Sequence, residues 1–259
     1  MKKILIIVLI GSLMSFNSFA GSDGKNELSK QPNGEVRDCF ETINRGIFSF
    51  NQALDQLIIE PIAKGYRYLP SPIRSGTSNF ISNLSLVVTI PNNILQGDFS
   101  LAGKNSARLA VNSTIGVLGL FDPATKMGLN DYEKEDYGQT LGRWGVGEGC
   151  YIVLPVLGPS TARDAIGSLG NYFGGDAWYN VTVRNDTHLF SDFDYYASKG
   201  AGGVDFRAKN FEDINNLEEN SIDFYASVKS LYLQDRRKRI LNATGATQTQ
   251  DDSDWEEIE

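Results

Sequence analysis

Residues 38–58 read Asp38-Cys39-Phe40-Glu41-Thr42-Ile43-Asn44-Arg45-Gly46-Ile47-Phe48-Ser49-Phe50-Asn51-Gln52-Ala53-Leu54-Asp55-Gln56-Leu57-Ile58. Phe40, Ile43, Ile47, Phe50, Leu54, Leu57 and Ile58 recur on a period near 3.6, which predicts an amphipathic helix with one apolar face. Asp38 followed by Glu41 three positions later has the form of a capping box at its start. Pro61 should end or kink the helix, with up to two further turns over 62–69. Two amides, Asn44 and Asn51, stand seven residues apart on the same helix.

The same pattern continues outward from this stretch. Ser71-Pro72 suits a cap and a first helical position, predicting a helix to about residue 84. Pro91 should open a short helical turn that stops at Gly97, and Asp98 should cap a helix over 99–115. Residues 122–136, with Pro123, Gly128 and Asn130-Asp131, read as the longest loop. A helix begins near Tyr137 and is broken by Gly142, Gly145, Gly147 and Gly149. Residues 150–159 form the most apolar run beyond the N-terminal segment, and Ser160 is the expected cap of a helix to about 173. Residues 174–203 give no clear reading. Two closing helices are expected over about 204–217 and 222–242. No strand ladder or internal repeat is visible, so the expected class is all-α.

Both ends of the chain read differently. Met1-Lys2-Lys3, the apolar run over 4–10 and Ser18-Phe19-Ala20 make residues 1–20 an expected signal peptide cleaved after Ala20. The apolar run is shorter than the ~20 residues that a membrane span requires. Residues 21–35 read as a flexible polar lead-in, 36–243 as a helical domain, and 244–259, with six acids, as a disordered acidic tail.

With 41% hydrophobic and 22% charged residues, the 259-residue chain has material for one large core. Lys+Arg 24 against Asp+Glu 32 gives a net charge of −8, which argues against nucleic-acid binding. One histidine and two cysteines leave few ligands for a transition metal. No metal or other cofactor is expected. Catalysis by a nucleophile and base would depend on His188, which reads more simply as a surface or packed residue. Gly145-Val146-Gly147-Glu148-Gly149 lacks the Lys-Ser/Thr of a phosphate loop. Asp122, Asp136 and Asp164 read more simply as helix caps than as acid-base pairs. The expected class is not an enzyme. In an oxidising compartment Cys39 and Cys150 either form a bridge or stay as two buried thiols.

Two features stand out. Amides and an arginine fall at helical spacing on otherwise apolar helices: Asn44 with Asn51, Asn79 with Asn83, Asn92 with Gln96, and Arg108 with Asn112. Singly, each fits a cap or a buried network; as a set they fit a polar stripe lining a wet cavity. Residues 113–121 and 150–159 are apolar and rich in Gly and Pro. They fit either a core or elements lying ~5–10 Å deep in one lipid leaflet. The cluster Arg236-Arg237-Lys238-Arg239 fits either a dipole-matched helix end or a site for lipid head groups or a carrier.

The run from Asp38 to Asn51 resembles the D-P-x-E-x-x-N-R-x-x-F-x-F-N opening of the MlaA/VacJ family of Gram-negative outer-membrane phospholipid transport proteins. Further matches are Asn79-Phe80 with Asn83-Leu84, Leu95-Gln96-Gly97, Arg108 with Asn112, Asp136-Tyr137-Gly138-Gln139-Thr140-Leu141, Trp144-Gly145-Val146-Gly147, Leu154-Pro155, Gly158-Pro159-Ser160 and Arg163-Asp164. They follow the family's order over about 38–242.

The resemblance implies a single ring-shaped all-α domain of kinked amphipathic helices around a central polar channel, set in the inner leaflet of the outer membrane. Such a protein takes mislocalised phospholipid from the outer leaflet, hands it to a periplasmic lipid-carrier protein, and associates with an outer-membrane porin trimer. It also implies that Asn44, Arg45, Asn51, Asn79, Asn83, Gln96, Arg108, Asn112, Arg163 and Asp164 form the channel and its supporting network. The loop carrying Asp122, Gly128, Asp136 and Gly138 is the expected gate. Leu118, Leu120, Phe121, Tyr151, Ile152, Val153, Leu154, Val156 and Leu157 are the expected membrane rim. A porin-associated adaptor with no channel of its own, or an envelope hydrolase, remains the alternative.

Two departures from the family pattern matter. The family usually carries a lipobox cysteine where this chain has Ser18-Phe19-Ala20-Gly21, so the expectation is an exported protein with no evident lipid tether. Cys39 and Cys150 each replace a usual proline, which predicts a disulfide between them.

Overall fold

The computed structural model describes residues 36–129, 133–170, 179–180, 183 and 191–243. The expected signal peptide, lead-in and acidic tail, together with His188, lie outside the described residues.

The expected first helix is α1 (Glu41–Leu54). Its start is not capped as the sequence predicts: Phe40 occupies the cap position without a side-chain bond. Asp38 instead accepts from Asn44 Nδ2 at 2.7 Å and from the Tyr225 hydroxyl, and pairs with Lys229. A π-helical turn (Asp55–Ile59) leads into α2 (Glu60–Arg67). The wider turn falls ahead of Pro61, which has no N–H for the carbonyl four residues back and would clash with it in a regular helix.

Helix α3 (Ser71–Leu95) runs unbroken through Pro91, where the sequence predicts two separate helices. Side-chain donors cluster around the proline: Asn92 Nδ2 bonds the Val88 carbonyl at 2.8 Å and Thr89 Oγ1 the Ser85 carbonyl at 3.0 Å. Helix α4 (Phe99–Thr114) begins at Asp98, whose carboxylate accepts from Leu101 N as expected. Helices α3 and α4 pack extensively on each other. The short α5 (Pro123–Lys126) and α6 (Tyr137–Arg143) are capped by Asp122 and Asp136.

Among the described residues a single β-hairpin is the non-helical element, and it breaks the expectation of no strands. β1 (Tyr151–Leu154) pairs antiparallel with β2 (Gly158–Thr161), with Tyr151 opposite Thr161 and Leu154 opposite Gly158. Thr161, not Ser160, caps α7 (Ala162–Gly170), its hydroxyl accepting from Asp164 N at 3.2 Å. The closing helices are α8 (Asp192–Lys209), α9 (Phe211–Asn220) and α10 (Phe224–Ala243). The expected 204–217 helix therefore divides at Asn210.

Cys39 and Cys150 are bonded, with their Cα atoms 5.6 Å apart, so the approach to α1 is joined to the start of the hairpin. The apolar core is small: Val36, Tyr151, Val153, Tyr225 and Leu233, flanked by Ile47, Phe48 and Tyr232. Much of the rest of the interior is amide, hydroxyl and charge, including Asn92, Asn93, Asn105, Gln139 and Thr140. Much of the outside is apolar. At the cap of α1, along the helix and on the turn after it, Phe40, Ile43, Phe50, Leu57 and Ile58 are exposed, while Asn44 is 2% exposed. The apolar face predicted from the 3.6 period exists, but it points largely away from the core.

Candidate functional site: a polar interior and two clamped apolar loops

The amides of α1 grip the hairpin backbone. Asn44 donates to the Tyr151 carbonyl at 3.0 Å and accepts from Val153 N at 2.9 Å. Two turns along, Asn51 donates to the Leu154 carbonyl at 2.9 Å and accepts from Val156 N at 2.7 Å. The seven-residue spacing thus serves two successive stations on one β-hairpin.

Helix α3 repeats the device. Asn79 Nδ2 bonds the Leu120 carbonyl at 3.2 Å, and Asn83 Nδ2 bonds Ser113 Oγ at 3.0 Å and the Leu118 carbonyl at 3.4 Å. Both clamped loops hold bulky residues at positive φ: Val117 (52°) and Leu118 (58°) in one, Val156 (67°) in the other. Such backbone costs of order 1–3 kcal/mol per residue and persists only where its surroundings hold it. Gly119 completes the first loop at φ 91°, where a Cβ would lie 2.5 Å from Asn83 Cβ.

The strained tips carry exposed apolar side chains. Leu118, Leu120, Phe121, Val156 and Leu157 are exposed as expected of a rim, and Ile152 and Leu154 are half-buried. Tyr151 and Val153 are core residues, which corrects their placement in the rim. Alternation along β1 turns them inward.

Replacing Asn51 by Ala should leave both hairpin groups without their protein partner and cost about 1–2 kcal/mol. Asn44→Ala, in a buried position, should cost about 2–3 kcal/mol. Urea unfolding of the two variants against wild type measures both.

The other expected residues divide into separate clusters. Arg108 Nη2 pairs with Asp122 at 3.0 Å and Nη1 bonds Thr125 Oγ1 at 3.1 Å and the Leu129 carbonyl. Asn112 donates to Asp122 at 3.0 Å and accepts from Ala124 N. Burial alone would raise the Asp122 carboxyl; the Thr125 and Asn112 donors and the Arg108 charge outweigh it and hold the group below its ordinary value.

Asn79, Asn83, Arg108, Asn112 and Asp122, with Ser82 and Leu86, enclose a polar cavity of about 80 Å³. That is room for several waters. Asn83 Oδ1 is buried without a partner among the described residues. A second cavity, of about 360 Å³, also reaches Asn79 and is lined by Ser71, Ser75 and Ser78 of α3 and by Asp205 of α8. Residues 71, 75, 78, 79, 82 and 83 occupy one face of α3. Its polar stripe therefore borders both cavities.

Gln96, buried, bonds Glu135 at 2.9 Å and Thr140 at 3.0 Å, and Thr140 in turn bonds Asn92 at 2.7 Å. Burial pushes the Glu135 carboxyl up, with the Gln96 donor opposing. The raised folded value means that ionised Glu135 costs stability at neutral pH. Glu135→Gln should therefore be more stable than wild type at pH 7. The gain should vanish as pH falls below the carboxylate range, where both chains carry a neutral group. Thermal melts at pH 4 and 7 measure it.

Arg45 is not in these clusters. It forks onto Asp223 at 2.7 and 3.1 Å, bonds Glu41 and lies over the Tyr225 ring. Arg163 and Asp164 belong to a buried ionic knot. Arg236 of α10 reaches Asp136 at 2.7 Å and Asp164 at 2.9 Å, Arg163 lies 3.0 Å from Asp164, and Tyr232 OH bonds Asp164 at 2.7 Å. Arg236 is therefore an interior residue and not part of a head-group surface.

Gly138, expected in a gate, lies in α6 against this knot. A Cβ there would come within 2.5 Å of Asp164 Oδ1. Gly128 is an exposed turn residue at φ 87°.

Sequence spacing did not reveal Asn93 bonded to Asn105 between α3 and α4, nor Arg207 paired with Asp55. These partners meet across helices, and spacing along one helix carries no sign of them. No cluster of three or more potential metal ligands occurs among the described residues. No described helix is long and apolar enough to cross a membrane.

The chain matches the MlaA lipoprotein family over residues 36–239. It is 33% identical over 204 residues to the intermembrane phospholipid transport system lipoprotein MlaA of Escherichia coli K12, covering 76% of each chain. It is 27% identical over 251 residues to the protein of that name in Haemophilus influenzae, covering 93% of this chain and 92% of that one. An uncharacterised protein of Rickettsia prowazekii is 35% identical over 212 residues, covering 80% of this chain and 78% of its own. A solved structure concerned with maintenance of bacterial outer membrane lipid asymmetry superposes with a TM-score of 0.66 at 31% identity, over 78% of this chain and 98% of that one. The lipoprotein name stands against the expectation of no lipid tether, which rests on residues outside those described. By the extent of these matches, the chain belongs to the MlaA lipoprotein family.

Proposed function

We propose that this protein is a component of phospholipid transport at the Gram-negative outer membrane. It withdraws mislocalised phospholipid from the outer leaflet through a polar passage and hands it to a periplasmic carrier, preserving lipid asymmetry. The observation that carries this reading is the inverted distribution of polarity, with amides and charges inside and Phe, Ile and Leu side chains outside. A phospholipid needs a hydrated route for its head group beside an apolar surface for its tails, and exposed apolar loops suit residence in one leaflet.

The stripe on α3 and its two cavities are the proposed head-group route. The exposed tips at Leu118 and Leu157 are proposed to sit in the inner leaflet, and a porin trimer is the proposed partner at that apolar surface. The 122–137 loop, anchored by Arg108 at one end and Arg236 at the other, is proposed to control access.

The test compares outer-leaflet phospholipid, by lipid labelling and lipidomics, in cells with the protein, without it, and with Ser82→Leu. Loss of the protein should raise outer-leaflet phospholipid, and Ser82→Leu should reproduce the loss at normal protein level. Unchanged leaflet composition without the protein would overturn the reading. If locking the 122–137 loop by a cross-link leaves transfer unchanged, the loop is a connector and not a gate.

A further inference from the structure

The larger cavity has a charge arrangement that the proposed passage does not by itself require. Two cations, Arg74 and Lys209, and one anion, Asp205, line it. Asp205 is already saturated: Ser78 Oγ donates to it at 2.7 Å, Tyr66 OH at 3.1 Å, and Lys209 Nζ pairs with it at 2.9 Å. Lys209 is thereby neutralised. Arg74 donates from Nε to the Leu69 carbonyl at 3.1 Å and has no carboxylate partner among the described residues. The cavity therefore retains one uncompensated positive charge, on a planar fork of donors suited to a phosphate.

Two further features favour an anion at this place. Ser71 and Ser75 contribute hydroxyls beside Arg74, and Ser71 is the first residue of the 25-residue α3. The positive end of that helix's dipole thus lies at the cavity wall. Pro72 has no N–H and those of Ile73 and Arg74 are taken by the Pro70 carbonyl, so the helix contributes charge there and the side chains contribute the donors. The volume, about 360 Å³, lies in the range of sites that take small ligands. The cavity also touches Asn79, which borders the inner cavity. An anion held here would sit at the head of the polar stripe.

We propose that this cavity is a docking site for the phosphodiester of a lipid head group, with Arg74 as its charge-reading residue. The proposal rests on the transport reading, and it identifies where along the passage the head group is first recognised. Free phosphate shares the chemistry and is separated from lipid by the test.

Full-length protein in detergent, stripped of lipid, is titrated with dihexanoyl-phosphatidylglycerol, with dihexanoylglycerol, which lacks the phosphate, and with inorganic phosphate. The chains compared are wild type, Arg74→Gln, Arg74→Lys and Ser75→Glu. Arg74→Gln should weaken binding of the phosphatidyl lipid about tenfold, and Ser75→Glu by at least as much. Arg74→Lys should fall between wild type and Arg74→Gln, since an ammonium keeps the charge but not the fork. Dihexanoylglycerol should bind equally to all four chains. Melting temperatures close to wild type would show that each variant is folded. Equal lipid affinity for wild type and both charge-altering variants would overturn the proposal. So would an Arg74→Gln effect confined to inorganic phosphate. If Ser82→Leu abolishes transfer in cells while Arg74→Gln changes neither binding nor transfer, this site fails and the passage stands. If the lipid arms behave as expected while loss of the protein leaves the leaflets unchanged, the site stands and transport fails.

Discussion

Replacing Cys39 and Cys150 together by Ala is expected to lower the stability of the folded domain by up to about 4–5 kcal/mol. The bond joins residues 111 apart, and in the chain-entropy account a loop of that length is worth about 4.7 kcal/mol, gained by restricting the unfolded chain. For a domain of this size the loss corresponds to a fall in melting temperature of roughly 10–15 °C. Melting with and without dithiothreitol measures it, alongside non-reducing mass spectrometry of exported protein. Two free thiols in the exported chain, or equal melting of both forms, would remove the bond from the account. A further consequence is specific to the position. Cys150 immediately precedes Tyr151, whose carbonyl is held by Asn44, so the loss should loosen the hairpin before it loosens α3 and α4. Hydrogen exchange should show this order.

Arg236→Met is expected to cost about 3–5 kcal/mol, because it removes the shared partner of two carboxylates from a buried knot. Arg236→Lys should recover only part of that loss, since a single ammonium cannot reproduce the fork reaching Asp136 and Asp164. The deficit has a predictable pH dependence. Burial pushes the Asp164 carboxyl up, but the Arg236 donors and charge, with Tyr232 and Arg163, more than reverse this and hold it below its ordinary range. A depressed folded value contributes stability at neutral pH that is lost as pH falls through that value. Without Arg236 that contribution is absent, so the gap between wild type and Arg236→Met should narrow on acidification. Urea midpoints at pH 7 and at about pH 2, below the ordinary aspartate value, give the measurement.

Local signals in this sequence report local structure well. The Asp98 cap and the capping role of Asp122 and Asp136 are interactions completed within one turn, and the periodicity of 40–58 is that of the helix and turn it runs along. The errors lie where tertiary partners override a local rule. Asp38 looks like a cap, but Asn44, Tyr225 and Lys229 claim it. Pro91 looks like a boundary, but neighbouring side chains bond the carbonyls around it. The run 150–159 looks like uniform apolar rim, but strand alternation sends Tyr151 and Val153 into the core.

The amides at helical spacing are conspicuous in the sequence, because they stand on otherwise apolar helices. Their grouping is not. Asn44 and Asn51 clamp a hairpin, Asn79 and Asn83 clamp a loop beside a cavity, and Arg163 and Asp164 join a knot completed by Arg236. Each grouping depends on elements far apart in the chain.

Because this polypeptide keeps its oil on the outside, the usual guide to mutational tolerance runs backwards. Exchanging Leu57 or Ile43 for aspartate should leave the folded architecture standing, since neither side chain supports the interior. Exchanging Asn105 or Thr140 for leucine, a change that hydropathy scales score as an improvement, should be the damaging one. Libraries selected only for behaviour in detergent-free buffer would therefore enrich well-behaved proteins that have shed the greasy coat by which this one is proposed to live at a bilayer.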